Sequence, residues 1–261
     1  MDVTERFARL MARPEPDICL DEAALLIAAH AYPNLDVDAQ LGRLDDLAQR
    51  CYAPTLDAVV EHLFVDEGFA GNRVAYHDPR NSFLNEVLDR RLGIPITLSV
   101  LTIEVGRRLG VPIAGVGMPG HFLLRDKVDP DLFVDPFAGG ARLDQGGCEA
   151  AFRSLHGADA PFDPAYLEPA GTHSIIRRML ANLKGAYTRR GNRGALVWAV
   201  RLGLVVPGAP GGARRELVNA LAANGQFDKA ATELDALADS LRTAGADQHR
   251  YAATRLRAKL N

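Results

Sequence analysis

The segment Leu92–Phe137 constrains this chain more than any other, because most of it has to be buried. It begins LGIPITLSVLTIEVGRRLGVPIAGVGMPGHFLLR and ends DLFVDPF. From Ile94 to Val105 an Ile, Leu or Val recurs at almost every second position, and no Gly or Pro interrupts Thr97–Val105. Ser99, Thr102 and Gly106 follow one another at spacings of three and four, which puts them on one helical face. A helix that is apolar nearly all round, with one face of small residues, is a buried helix that presses its backbone close to a neighbour. The next run, Val111–Met118, is apolar and Gly-interrupted. His121–Arg125 and Leu132–Val134 read as short strands between turns. The expected fold class is therefore α+β: a central buried helix on a small antiparallel sheet.

The rest of the chain surrounds this frame. Asp21 is placed to cap a helix over 22–32, Asp36 or Asp38 one over 39–51, and Thr55 one over 56–64. Residues 68–79 are Gly- and Pro-punctuated and read as a loop, with Asp78-Pro79 starting a helix over 80–92. Residues 138–147 form a turn-rich connector, followed by a helix around Glu149–Leu155. The polar, Pro- and Gly-rich stretch 156–174 is the best boundary, giving domains over 1–160 and 170–261. The second is expected to be all-α, with helical hairpins Ile176–Arg189 with Ala195–Leu204 and Arg214–Ala223 with Phe227–Leu241. The turn Gly225-Gln-Phe227-Asp-Lys-Ala230 and the interval from Ala195 to Pro207 resemble the tetratricopeptide repeat. Generic antiparallel hairpins fit the same pattern.

Composition removes several functions. At 261 residues the chain has room for one sizeable core, or for one core and a small second domain. A formal charge of −3 gives no bulk drive toward nucleic acid or an anionic membrane. No run approaches 18 apolar residues, and MDVTERFARL lacks a basic segment followed by an apolar one. Cys19, Cys51 and Cys148 are too few and too scattered for a disulfide framework or a CxxC site. The histidines show no HExxH spacing, and there is no GxxxxGK[ST]. A cytoplasmic protein with no metal and no cofactor is expected.

Three motifs carry the chemistry: Gly93-Ile-Pro95 at the helix start, His121 after Pro119-Gly120, and Val134-Asp135-Pro136. With Leu109-Gly110-Val-Pro112 closing the helix, they resemble the transglutaminase-like superfamily. There a Gly-x-Cys opens a buried helix, a His begins the next strand and an Asp in x-Asp-Pro lies on the following one. Glu22-Ala-Ala-Leu-Leu-Ile27, Tyr32-Pro33, Gly68-Phe-Ala-Gly-Asn72, Asn81-Ser-Phe-Leu-Asn85 and Pro119-Gly-His-Phe-Leu-Leu124 are closer still to bacterial SirB-type proteins. Those are described as regulators of sirC expression with transglutaminase-like and tetratricopeptide regions.

The resemblance implies a papain-type core in which a helix-end thiolate would be activated by His121, with Asp135 orienting the imidazole. The Cys position, however, falls on Pro95. Proline has no nucleophilic atom and suits a first helical turn. The implied protein is thus non-catalytic and regulatory, working by binding a protein or peptide through its helical C-terminal part. The alternative is a hydrolase or acyl-transfer enzyme that keeps His121 and Asp135 and uses a relocated nucleophile. Ser99 and Thr97 are nearest to the helix start, and both read more simply as packing or capping residues. Cys148 reads as a small hydrophobe. Asn81 is either a cap or an amide aimed into the cleft. His121 itself either ties two strands together or lines a site.

Overall fold

The first helices form around apolar residues, on one side of the first and nearly all round the second. α1 (Val3–Met11) buries Phe7, Leu10 and Met11, and α2 (Leu20–Ala29) buries everything but Glu22. α3 (Val37–Arg50) and α4 (Leu56–Glu61) follow, α4 running on as a π-helical turn to Asp66. The computed structural model describes residues 2–240 and 245–260. Asp36 caps α3 by accepting the Ala39 N–H at 3.0 Å, and Thr55 caps α4 through the Ala58 N–H at 3.2 Å. Asp21 does not cap α2. That helix starts one residue before it, and Asp21 is buried inside the helix.

Asp78 caps only a 3-10 turn, Pro79–Ser82, and the expected helix over 80–92 is broken by extended backbone at Phe83. The break leaves the Asn81 carbonyl free to accept the Thr97 hydroxyl at 2.7 Å. α5 (Leu84–Arg90) then ends at Arg91, the one described non-glycine residue with positive φ (58°). β1 (Ala70–Gly71), inside the expected loop, and β2 (Leu92–Gly93), at the end of the expected helix, form a short parallel pair.

α6 (Pro95–Arg108) is the buried helix, and at Gly106 it meets the start of the sheet. A Cβ on Gly106 would stand 2.6 Å from Ile113 Cδ1, so glycine lets the helix backbone approach that side chain without displacing its terminal methyl. The sheet is antiparallel in the order β3 (Ile113–Val116), β4 (Leu123–Asp126), β5 (Phe133–Asp135), β6 (Ala141–Leu143). Register pairs Gly115 with Leu124, Leu124 with Val134 and Val134 with Arg142. His121 lies before β4 rather than on it. Its N–H closes the Pro119-Gly120 turn on Met118 O at 3.0 Å, and the ladder begins only at Leu123.

α6 is also tied to α2 by charge. Asp21 and Glu104 are buried carboxylates, and Arg108 reaches Asp21 at 2.8 Å, Glu104 at 3.4 Å and Asp45 at 2.6 Å. Arg107 adds a 2.7 Å contact to Glu104, whose other oxygen accepts the Leu20 N–H at 3.0 Å. Burial, with Asp21 beside it, holds the Glu104 carboxyl above its usual range.

α7 (Gln145–His156) follows β6, capped by Asp144. The stretch after it does not behave as a linker. Leu167 is buried, Pro169 bridges Val116, and the Ala170 N–H donates to Gly115 O at 2.8 Å. It covers the open edge of β3, whose backbone groups need partners. The boundary therefore shifts from 160–170 to within α8 (Thr172–Arg190): the chain divides into units 1–179 and 180–261.

In the second unit α9 (Arg193–Val205), α10 (Ala213–Ala223), α11 (Phe227–Ser240) and α12 (Gly245–Arg257) pack in sequence on Val197, Val200, Leu217, Leu221, Leu234 and Ala253. The expected end of α11, Leu241, lies outside the described residues. α12 is absent from the sequence expectation. Among the described residues no helix is long and apolar enough to cross a membrane.

Candidate functional site

The β4–β5 region brings His121 and Asp135 together. The imidazole Nε2 lies 2.8 Å from Asp135 Oδ2, and both side chains are only about one-eighth exposed, at 12% and 13%. Asp135 has an extended backbone before Pro136 and caps the 3-10 turn Pro136–Ala138, its Oδ1 accepting the Phe137 N–H at 2.9 Å and the Ala138 N–H at 3.1 Å. A carboxylate held this way accepts and does not donate, so the Nε2 of His121 carries the proton. The other ring nitrogen, Nδ1, has no hydrogen-bond partner among the described residues.

Arg178, on α8, holds the backbone of this turn. Its Nη2 donates to Met118 O at 2.9 Å and to His121 O, and its guanidinium lies 5.3 Å over the Phe122 ring. No carboxylate pairs with it among the described residues, and burial pulls its pKa below the usual arginine value. Phe137 stands edge-on to His121 at 6.4 Å, with Tyr76 at 5.7 Å and the Arg73 guanidinium at 5.1 Å on the same ring. Burial raises the Tyr76 phenol. Arg178, Phe137, Tyr76 and Arg73 are not among the site residues expected from the sequence. Only proximity in the fold singles them out, since they are spread over more than 100 positions.

The cleft candidates Asn81, Thr97 and Ser99, and Pro95 at the expected nucleophile position, all lie inside the protein. Asn81 is internally satisfied: its Oδ1 accepts from Asn72 Nδ2 at 2.9 Å, and its Nδ2 donates to Ala75 O at 2.7 Å, pinning the 72–76 loop. The Thr97 hydroxyl accepts the Ile94 N–H at 3.1 Å and donates to the Asn81 carbonyl, so it caps α6 where Ile94 offers no side-chain acceptor. Ser99 Oγ is buried without a hydrogen-bond partner, so His121 does not activate it. The Cys148 thiol sits in the core and burial pushes it up to about 12, far from a thiolate. Cys19 and Cys51 are half-buried and unpaired. Among the described residues no group of three or more His, Cys, Asp or Glu is placed to hold a metal ion.

Comparison with known proteins follows the same motifs. A family model described as the transglutaminase-like superfamily matches residues 29–181. A UPF0162 protein of Xylella fastidiosa (strain Temecula1) is 42% identical over 211 residues, covering 73% of each chain. One of Pseudomonas aeruginosa is 32% identical over 199 residues, covering 73% of this chain and 72% of its own length. F-box only protein 21 of Homo sapiens is 33% identical over 145 residues, covering 52% of this chain but 22% of that protein. No solved structure matches the chain.

Proposed function

Because this chain belongs to the transglutaminase-like superfamily, we propose that it acts by binding a partner rather than by acyl transfer. What carries this reading is Pro95: the motif resemblance sets the superfamily nucleophile position on this proline, which opens α6 and has no nucleophilic atom, while His121 and Asp135 are hydrogen-bonded. The substitutes for the missing thiol are poor ones. Ser99 is buried and unactivated, Thr97 is spent on capping, and the Cys148 thiol stays protonated. A related segment makes up 22% of F-box only protein 21, a size that suits a recognition module joined to other sequence. The SirB-type likeness suggests regulation in the cytoplasm, with a protein or peptide partner and no nucleic acid or membrane. We assign the superfamily core to the first unit and the partner-binding role to the helical second unit, whose hairpins resemble tetratricopeptide repeats.

Restoring the nucleophile tests the vacated position. In a background with Cys19→Ser, Cys51→Ser and Cys148→Ala, Pro95→Cys places one thiol in the first turn of α6. The helix end favours the thiolate and so does an imidazole placed beside it, so on this reading its midpoint should fall below the free value of about 8.5. Thiolate ultraviolet absorbance against pH reads it without requiring reagent access to a buried site. Adding His121→Ala should raise the midpoint. A midpoint above about 8.5 that ignores His121 would mean that position 95 never served a His–Asp pair.

A further inference from the structure

The small net charge of the whole chain conceals two opposed units. Residues 180–261 carry 13 Lys and Arg against 6 Asp and Glu, a formal +7, which leaves −10 on residues 1–179. In the second unit all six acids are engaged by four cations. Lys184 holds Glu216, Arg214 holds Glu233, Arg250 holds Asp239 and Asp247, and Arg257 holds Asp228 and Asp235.

Most of the remaining cations gather at one end of the helical array. The end of α8, the start of α9, the end of α10, the start of α11 and the end of α12 meet there. Arg193 Nη1 donates to Ala223 O at 3.0 Å, Arg257 reaches Asp228 at 3.7 Å, and Lys259 Nζ lies 5.3 Å over the Phe227 ring. Arg189, Arg193, Lys229, Arg255 and Lys259 are exposed at this end and have no carboxylate partner among the described residues. Arg193 and Lys259 border a shallow cavity of about 550 Å³ walled by Ala222, Ala223, Gly225 and Phe227.

We propose that this end of the second unit is a binding site for an acidic peptide segment, with its carboxylates seated between Arg193 and Lys259. The proposal rests on the reading above that this unit binds a protein partner, and it names that partner's chemistry. Arg193 offers a planar fork and Lys259 a point charge, a combination suited to carboxylates. The methyl and ring walls suit the apolar side chains between acidic residues. The uncommitted charge also steers an oppositely charged partner toward this end. A nucleic-acid strand needs a run of phosphate contacts along a track. Here the free cations are grouped around one cavity instead, and Arg201 and Arg215 lie toward the other end of their helices.

The test is fluorescence anisotropy on the full chain, with a fluorescein-labelled decapeptide of alternating Glu and Leu. Its Gln-for-Glu counterpart and a labelled deca-uridylate are the comparison probes. The acidic peptide should bind and the Gln peptide should not. Arg193→Ala with Lys259→Ala should weaken binding by about tenfold or more, and Arg201→Ala with Arg215→Ala by less than about twofold. Lys259→Glu alone keeps the Arg193 bond to Ala223 and should also weaken binding, so loss of binding can be separated from loss of fold by circular dichroism. His121→Ala should bind the peptide unchanged, which keeps failure here distinct from failure of the reading of the first unit. No binding of the acidic peptide, equal losses in the two double variants, or tighter binding of the uridylate would overturn the proposal.

Discussion

Replacing Arg108 with Ala is expected to lower stability by about 3–5 kcal/mol, nearer the lower figure because Arg107 remains. Arg108 is itself only 13% exposed and contacts Asp21, Glu104 and Asp45. Asp21 and Glu104 are almost fully buried, so removing the guanidinium leaves two carboxylates facing each other with one cation between them. The loss should depend on pH in a definite direction. Glu104 already titrates above its ordinary value near 4.5, so its contribution to stability is full below that value and declines as pH rises through its folded value. Removing Arg108 pushes it further the same way. The deficit should therefore be largest at neutral pH and shrink toward pH 4.5. Urea unfolding of native and Arg108→Ala protein at acidic and neutral pH measures it. A deficit below about 1 kcal/mol, typical of a surface ion pair, would mean the network is solvated.

Gly71→Ala should damage the His121–Asp135 pair from a distance. A Cβ there would lie 2.5 Å from the Phe137 ring and 2.6 Å from the Phe137 carbonyl oxygen. A ring can rotate, but a carbonyl moves only with its backbone. That backbone is the turn whose N–H groups hold Asp135 Oδ1. The expected cost is about 1–3 kcal/mol. Thermal melting reads the cost, and the ¹⁵N resonances of the His121 ring should show the Nε2–H bond to Asp135 weakened. An unchanged melting curve with unchanged ring resonances would contradict this packing of β1 on the turn.

The helix and the sheet it lies on were legible because burial on all sides leaves a dense apolar signature, and because Ser99, Thr102 and Gly106 mark the face that must stay thin. β6 left no such trace: Ala141-Arg-Leu143 is an exposed edge with no apolar alternation. β1 and β2 are two residues each, and their pairing joins positions more than 20 apart. α12 buries alanines such as Ala253, which do not stand out as core residues in a sequence. Asp21 misled because an acid near a helix start ordinarily caps it, whereas here it answers Arg108 from another helix. The residues around His121 were legible only as the His and the Asp. Arg178 and Phe137 act through backbone carbonyls and ring edges, and neither kind of contact has a sequence motif. The second unit's charge was hidden by summing over the whole chain.

The central claim, that this superfamily member binds rather than transfers acyl groups, is tested most directly by incubating the full chain with p-nitrophenyl acetate. Nitrophenolate release is followed in solution, and intact mass reads any acyl group left on the protein, for native and His121→Ala chains side by side. The expected result is superimposable release from the two proteins and no adduct that depends on His121. A turnover or acyl adduct present in the native chain and lost in His121→Ala would contradict it, and would show that His121 and Asp135 serve a nucleophile elsewhere than position 95.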